Sequence, residues 1–372
     1  MKRLAYISTI DMNSDVYMGV AKKIRMQCEA FQKIGFQVEN LSNDTNDIKE
    51  KIRKLFPSYY ATAYKKIKNK INTYDDLDVC YIRYSCASRG LIDVLKTIRQ
   101  KFPTCRIILE IPTYPYKQEM TALKAKPQYF RDVLYRGQLK KYIDQITTFS
   151  PNSEIYGIPV TEITNGVDID IIKQRKPKSY NPNEIVILGV AGMQIWHGFD
   201  RIIEGLSQYY KSNDAKPGIT FIAAGEGPYK EKWIQLANKY GISEHVKFVG
   251  VKTGSELEEL YNEADIGVGS LGLHLVMDYP HVSILKTREY CAKGLPFLTT
   301  DKDYLFNNKD FNYSMIVNDD DSPIEMKEIV EFLSRFNNEA PVDVLKNMRQ
   351  YAMEHIQWSE ILRPIVERAQ KQ

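Results

Sequence analysis

Ser283-Ile284-Leu285-Lys286-Thr287-Arg288-Glu289-Tyr290-Cys291-Ala292-Lys293-Gly294-Leu295-Pro296 carries the punctuation of one α/β unit. A loop enters a helical stretch over Lys286–Lys293, Gly294 stands where a helix turns into left-handed backbone, and Pro296 opens an apolar run to Thr299. Upstream the same alternation recurs: runs at Ile185–Val190, Thr220–Ala224, Val246–Val249 and Ile266–Gly269, separated by helical stretches at Phe199–Tyr210, Pro228–Tyr240 and Ser255–Ala264. With Pro296–Thr299 these predict a doubly wound parallel sheet of five strands. Pro228, after Gly225-Glu226-Gly227, is expected at a first helical position, and Ser255 with Glu258 reads as a capping box.

The first half repeats the scheme. Strands are expected at Leu4–Ser8, Val38–Leu41, Val79–Arg83, Arg106–Ile111, Gln145–Phe149 and Val160–Ile163, with helices at Val20–Ile34, Gly90–Arg99 and near Gln128–Lys141. A polar break from Lys173 to Asn183, with Lys-Pro-Lys and Asn-Pro-Asn, reads as a linker. From Pro341 to Gln372 the pattern is helical, with Trp358, Ile361, Leu362, Ile365 and Val366 on one face. Two α/β domains of this kind leave a cleft between the carboxyl ends of their sheets, the usual ligand position in such folds.

The length of 372 residues fits two domains, and a hydrophobic fraction of 43% with 26% charged residues excludes a disordered or fibrous chain. A net charge of +4 is too small for a dedicated nucleic-acid binder. The five cysteines (Cys28, Cys80, Cys86, Cys105, Cys291) form no CxxC pair, which suggests neither a disulfide framework nor a thiolate metal site and fits a reducing cytoplasm. The longest apolar run, Ile185 to Met193, is half the length of a membrane span, and the amino terminus reads as a strand rather than a signal peptide.

Several motifs have two readings. The amino end of the Lys286 helix suits a diphosphate, with Lys286 adding a full charge and Glu289 one turn along to accept from a ribose diol; equally, Lys286, Arg288 and Glu289 fit an ordinary solvated face. Gly267-x-Gly269-x-x-Gly272 matches a dinucleotide-binding pattern, but no helical pattern follows it, so it is read as coincidental. Among the five histidines, His245 and His355 are assigned structural roles, while His197, His274 and His281 stay open. The Asp-x-Asp triplets Asp76/Asp78, Asp168/Asp170 and Asp301/Asp303 are expected by chance, and no metal is predicted. Lys49–Lys70 and Tyr114–Tyr142 are basic and aromatic, which fits either a solvated surface or attraction to anionic lipid headgroups.

Asn165-Gly166-Val167-Asp168, the Gly189–Asp200 segment, Gly225-Glu226-Gly227-Pro228 and Lys286-x-x-Glu289-Tyr290 with Gly294-x-Pro296 together resemble the retaining glycosyltransferases of family 4 (glycosyl transferases group 1), of the capsule or surface polysaccharide type. Gly19-Val20, opening a helix that ends in Lys33-Ile34-Gly35, is similar to that family's amino-terminal glycine loop.

The resemblance implies an α/β GT-B fold of two Rossmann-like doubly wound domains facing a cleft. Residues 1–170 would bind the acceptor, 171–350 the nucleotide-sugar donor, and 351–372 would form a helix crossing back to the first domain. It implies Lys286, Glu289 and His281 as catalytic residues. Gly192, His197, Gly225, Glu226, Ser270, Ser283, Ile284, Leu285 and Thr287 would contact the donor, and Gly19 and Glu110 the acceptor or phosphate side. Of the family's glutamate pair, Glu289 fills the second place and His281 the first; its phosphate-binding Arg and Lys align with Gly192 and His197, leaving Lys286 as the natural replacement, with His197 helping if protonated. The implied activity is hexosyl transfer, with retention, from a nucleotide diphosphate sugar, UDP-sugar favoured, to a sugar hydroxyl of a polysaccharide or lipid-linked precursor. No cofactor is implied, and the expected location is cytoplasmic, peripheral on the inner face of an anionic membrane. The alternatives are a sugar-nucleotide epimerase of the same fold and a noncatalytic nucleotide-sugar binder.

Overall fold

The computed structural model describes residues 1–13, 18–43, 62–112, 114–116, 126–212, 216–276, 280–307 and 310–367. They form two compact units, Met1–Thr164 with Trp358–Gln372, and Asn165–Gln357. The 49–61 part of the basic Lys49–Lys70 stretch, and 117–125 of Tyr114–Tyr142, lie outside the described residues.

Unit 1 is built on β1 (Lys2–Asp11), β2 (Phe36–Asn43), β3 (Val79–Arg83), β4 (Arg106–Ile111), β5 (Gln145–Thr148), β6 (Glu154–Ile155) and β7 (Ile158–Glu162), in the order β2-β1-β3-β4-β5-β7-β6. All pairings are parallel except the β6–β7 hairpin, which sequence reasoning missed because two residues carry no pattern. Strand alternation builds a core on each face. Ala5, Ile7, Cys80, Ile82, Ile107 and Leu109 meet Leu91, Val94, Leu95 and Ile98 of α3 (Arg89–Lys101), together with Ile67 and Ile71 of α2 (Thr62–Asn72). Leu4, Tyr6, Val79, Tyr81 and Ile108 meet Ile24 and Phe31 of α1 (Met18–Ile34) on the other face. The expected helix near Gln128–Lys141 divides into α4 (Lys126–Tyr135) and a 3₁₀ turn, Arg136–Lys141.

Unit 2 has six strands where five were expected: β8 (Glu184–Val190), β9 (Gly218–Ala224), β10 (Val246–Gly250), β11 (Ile266–Val268), β12 (Phe297–Thr300) and β13 (Ser314–Val317). Their order is β10-β9-β8-β11-β12-β13, all parallel, so the winding reverses between β8 and β11. The helices are α5 (Phe199–Lys211), α6 (Lys230–Tyr240), α7 (Gly254–Glu263), α8 (Leu285–Lys293), α9 (Met326–Ser334) and α10 (Pro341–His355).

Two expected helix starts are corrected. Pro228 stays in the loop and α6 begins at Lys230, because Tyr229 N is held by the Met193 carbonyl at 3.0 Å. Ser255 lies inside α7, whose cap is Thr253, and Glu258 does not fold back as a capping box: its carboxylate takes Lys293 Nζ at 2.6 and 2.8 Å. The Lys173–Asn183 break is a strap packed within unit 2 rather than a linker. Buried Arg175 donates to the carbonyls of Gly294 (2.9 Å) and Ala264 (2.6 Å), and Lys178 pairs with Asp265 at 2.7 Å.

The helical tail breaks at Ile356-Gln357. Val167 N donates to the Ile356 carbonyl at 2.8 Å and Ile169 N to Gln357 Oε1 at 2.8 Å, which ties α10 to unit 2. The next helix, α11 (Trp358–Glu367), puts Trp358, Leu362, Ile365 and Val366 into the unit 1 core beside α1. Chain division therefore falls at 164/165 and 357/358, where 170/171 and 350/351 were expected.

Glu110, at the end of β4, is fully buried in unit 1. Arg83 Nη1 lies 2.6 Å and Lys23 Nζ 3.2 Å from its Oε1, while the Tyr81 hydroxyl and Gln27 Nε2 donate to Oε2, each at 2.7 Å. Burial alone would raise its pKa; Lys23 and Arg83, with those hydrogen bonds, overcome it and hold the carboxyl at about 2. Every lone-pair direction is thus committed to the core, and the acceptor-side role implied for Glu110 is replaced by a structural one. Glu110→Gln leaves two buried cations without their counter-charge and is expected to cost ~3–5 kcal/mol in urea unfolding. In the wild type this contribution is complete above the ordinary glutamate pKa, roughly 4.3, and fades as pH falls toward 2. The variant should lack that acid limb.

Candidate functional site

The reversal of winding between β8 and β11 leaves a crevice at the carboxyl ends of the strands, and the loops leaving those two strands meet there. After β8 the chain runs to a 3₁₀ turn, Ile195–His197, and Gly198; after β11 it runs through Gly269–Gly272. The loops touch backbone to backbone: Leu271 N donates to the His197 carbonyl (3.3 Å) and Gly272 N to that of Trp196 (3.1 Å). Gly198 has φ +61°, and a Cβ there would lie 2.7 Å from the Leu271 carbonyl carbon. The Gly267-x-Gly269-x-x-Gly272 pattern has the same origin. A Cβ at these positions would strike Tyr290, the Leu298 carbonyl and the Ile195 carbonyl at 2.8 Å, so the three glycines serve close packing.

Lys286, in the first turn of α8, points into this junction. Its Nζ donates to the Gly269 carbonyl (2.9 Å) and to His197 Nδ1 (3.1 Å), and it lies over the Phe199 ring at 5.8 Å from the centroid. The Ser270 hydroxyl is 3.3 Å from the same Nδ1. Burial lowers Lys286 to about 7. His197 is lowered to about 3 by burial and then by the Lys286 charge, so it is a neutral acceptor and not the second cation considered from sequence. Lys286 is the cation of this cluster.

Helix α8 begins with Ile284 as cap and no side-chain cap bond, and the positive end of the helix dipole lies at this first turn. Its opposite face is not the solvated surface that sequence allowed. Arg288 is fully buried and paired with Asp303, and the Thr287 hydroxyl, with one proton to donate, lies 2.8 Å from the Ile284 carbonyl and 2.6 Å from Asp303 Oδ2. The Thr287 hydroxyl is therefore engaged within the fold. Ser283 Oγ accepts from Asn165 N at 2.6 Å and the Ser283 carbonyl from Asn165 Nδ2 at 2.7 Å, which orients the loop entering α8. Ile284 is buried and Leu285 exposed.

Glu289 is half-buried one turn after Lys286, with the buried Tyr261 hydroxyl hydrogen-bonded to it. His281 stacks on Tyr304, centroids 4.5 Å apart and planes at 24°. Tyr261 and Tyr304 escaped sequence reasoning, since neither belongs to a motif. A concavity of about 370 Å³ opens at the ends of β8, β9 and β10, lined by Gly192, Gly225, Glu226, Val251 and Lys252 among others. That is within the range of small-molecule sites, roughly 300–1,000 Å³. Its floor is backbone: Gly225 N donates to the Gly250 carbonyl at 2.7 Å, and a Cβ on Gly225 or Gly227 would overlap the Ala191 or Gly192 carbonyl oxygen. Glu226 pairs with Lys230 at 2.5 Å. Gly19, in unit 1, is exposed at the start of α1, and a Cβ there would meet nothing within 4 Å. Among the described residues, no group of three or more His, Cys, Asp or Glu side chains is arranged to hold a metal ion.

Residues 170–276 match the family model described as Glycosyl transferases group 1. A search of curated proteins finds no match. Solved structures share the fold along the whole chain. A glycosyltransferase from Rickettsia africae is 13% identical with TM-score 0.64, covering 100% of this chain and 98% of that one. The Anabaena protein HepE in complex with UDP is 13% identical with TM-score 0.62, covering 99% of each chain. Sucrose-phosphate synthase from Thermosynechococcus elongatus is 15% identical with TM-score 0.61, covering 99% and 98%. The fold is accordingly the α/β GT-B class with two parallel-sheet domains.

Two outcomes are expected from this geometry. Gly198→Ala forces a side chain into left-handed backbone against Leu271 and should lose ~1–3 kcal/mol in denaturant unfolding. Comparing the wild type with Lys286→Met tests the buried cation: the unfolded chain keeps this proton up to roughly pH 10.4, whereas the folded one releases it near 7. The stability of the wild type relative to the variant should therefore rise between those values, and a flat difference across that window would contradict the assignment.

Proposed function

We propose that this protein transfers a hexose, with retention, from a UDP-sugar to a sugar hydroxyl of a polysaccharide or lipid-linked oligosaccharide precursor. The observation that carries the reading is Lys286, a buried amine at the amino end of α8, lodged at the reversal of winding with Glu289 one turn behind it. The group 1 glycosyltransferase match over 170–276 and the UDP and UDP-glucose complexes of Anabaena HepE support it.

In this mechanism the diphosphate lies against the first turn of α8, where backbone N–H groups and Lys286 meet its charge. Glu289, oriented by Tyr261, accepts from the ribose hydroxyls, and the glycine-walled concavity takes the base. His281, braced by Tyr304, hydrogen-bonds the donor sugar. As the bond from the sugar's anomeric carbon to the phosphate oxygen breaks, UDP leaves with the electron pair and negative charge grows beside Lys286. The acceptor oxygen bonds the anomeric carbon on the same face, and its proton passes to the departing phosphate oxygen. The chain's own contribution is positioning and charge stabilisation. No metal or other cofactor takes part. The protein acts in the cytoplasm, on the inner face of the membrane that carries the acceptor.

A free Lys286 near neutrality makes nucleotide binding pH-dependent. The diphosphate favours the protonated amine, so UDP binding should take up a proton above about pH 7 and weaken as pH rises further. Calorimetry in buffers of different ionisation enthalpy reads this directly, and Lys286→Ala should abolish it. In turnover with saturating UDP-sugar and acceptor, Lys286→Ala should lose ~2–4 kcal/mol of transition-state stabilisation, on the order of a hundredfold or more. Unchanged turnover overturns the role given to Lys286. Release of an isomerised nucleotide sugar without acceptor would instead identify an epimerase.

A further inference from the structure

Helix α4 (Lys126–Tyr135) is amphipathic in the wrong sense for a surface helix. Its polar residues Arg131 and Asp132 are buried, whereas Phe130, Val133 and Leu134 are 59%, 46% and 56% exposed. The inward face is anchored by Asp132: its Oδ1 accepts from Ala87 N at 2.8 Å and from the Tyr84 hydroxyl, and Oδ2 from the Tyr116 hydroxyl at 2.6 Å. Arg136 Nη1 stands 3.6 Å from the same carboxylate and its guanidinium lies over the Tyr156 ring. These contacts fix the rotation of the helix about its axis, so the apolar ridge is directed outward by the fold.

The ridge residues are spaced i, i+3, i+4 and form one stripe, with Lys126 four residues before Phe130 on the same side. Lys126, Lys140 and Lys141 are exposed, and Tyr129, Tyr135 and Tyr142 are half-buried. Over 126–142 the sequence has one acid, Asp132, which is fully buried. An outward apolar stripe accompanied by exposed lysines and flanking tyrosines is complementary to an anionic bilayer surface, where apolar side chains enter the headgroup boundary and lysines stay with the phosphates. Among the described residues no helix is long and apolar enough to cross a membrane.

We propose that the Phe130–Val133–Leu134 face of α4 docks unit 1 onto anionic lipid. The inference deepens the membrane part of the proposed function and names its contact; it needs no nucleotide. The full chain is cosedimented with vesicles of phosphatidylcholine alone and of phosphatidylcholine with phosphatidylglycerol. Binding should require phosphatidylglycerol and fall with added salt, since exposed charges are screened over ~8 Å at physiological ionic strength. Replacing Phe130, Val133 and Leu134 by Ser should reduce partitioning about tenfold or more, because the apolar area is lost, while Lys126→Gln with Lys140→Gln and Lys141→Gln should weaken binding and its salt dependence. The Ser variant removes only exposed side chains and is checked by an unchanged thermal unfolding midpoint. In a Phe130→Trp variant, phosphatidylglycerol vesicles should shift the emission to the blue beyond any change in the wild type.

Equal partitioning of wild type and Ser variant, equal binding to both vesicle types, or no blue shift overturns the proposal. So does a wild-type dimer in analytical ultracentrifugation that the Ser variant abolishes without vesicle binding, which would assign the ridge to a second copy of the chain. UDP thermal stabilisation is measured in parallel. Its absence with vesicle binding intact would discard the nucleotide-sugar reading and leave the docking surface standing.

Discussion

The contact between two backbone loops, His197-Gly198 on Leu271-Gly272, is the constraint on which the candidate site rests. It closes the end of the crevice between β8 and β11 and leaves the Gly269 carbonyl and His197 Nδ1 as the two acceptors for Lys286. A side chain on Gly198 or Gly272 would hold the loops apart, and the lysine would lose its acceptors. Burial at this junction brings the pKa of the amine down to about 7. A lysine at that value is charged when an anion approaches and neutral when none is present at alkaline pH, which links its charge state to occupancy.

Helix α8 makes this arrangement rigid. Its inner face is anchored by the buried Arg288–Asp303 pair and by Thr287, and its carboxyl end by Gly294, where a Cβ would strike Leu345 of α10. Lys293 at the last turn reaches Glu258 of α7. With those contacts the helix holds Lys286 against the Gly269 carbonyl and His197, while Glu289 one turn on is engaged by the buried Tyr261 hydroxyl. Among the residues that sequence similarity would lead one to treat as ligands, Gly192 and Gly225 line the open concavity, Lys286 and Ser270 meet at His197, and the hydroxyls of Thr287 and Ser283 hold the backbone in place.

Unit 1 shows the opposite use of charge. Glu110, Lys23 and Arg83 are all directed into the interior, with Gln27 and two tyrosines completing the set, and none is available to a ligand through its committed atoms. Chemistry-bearing residue types at the end of a central strand here serve the fold. What unit 1 offers outward is the apolar ridge of α4 and the lysines around it, a surface whose direction is set by Asp132 and its tyrosine partners on the inner side.

The strands and helices of both halves were legible in sequence because buried parallel strands are continuous apolar runs and the helices between them end on Gly35, Gly241 and Gly294, each with positive φ. The placement of Lys286 and Glu289 one turn apart at the start of such a helix was legible for the same local reason. Short elements such as β6 and β13, with two and four residues, have too little pattern to announce themselves. Pro228 and Ser255 carried helix-start signals that were overridden when Met193 and Lys293 captured neighbouring groups. The sequence by itself determined the alternation, the class of fold and the motif residues, since those depend on neighbours in the chain. Only the tertiary structure decided that His197 is neutral, that Thr287 and Glu110 face inward, that Tyr261 and Tyr304 brace Glu289 and His281, and that α4 turns its apolar side out. Burial and hydrogen-bond partners come from residues tens of positions away, and no local spacing encodes them.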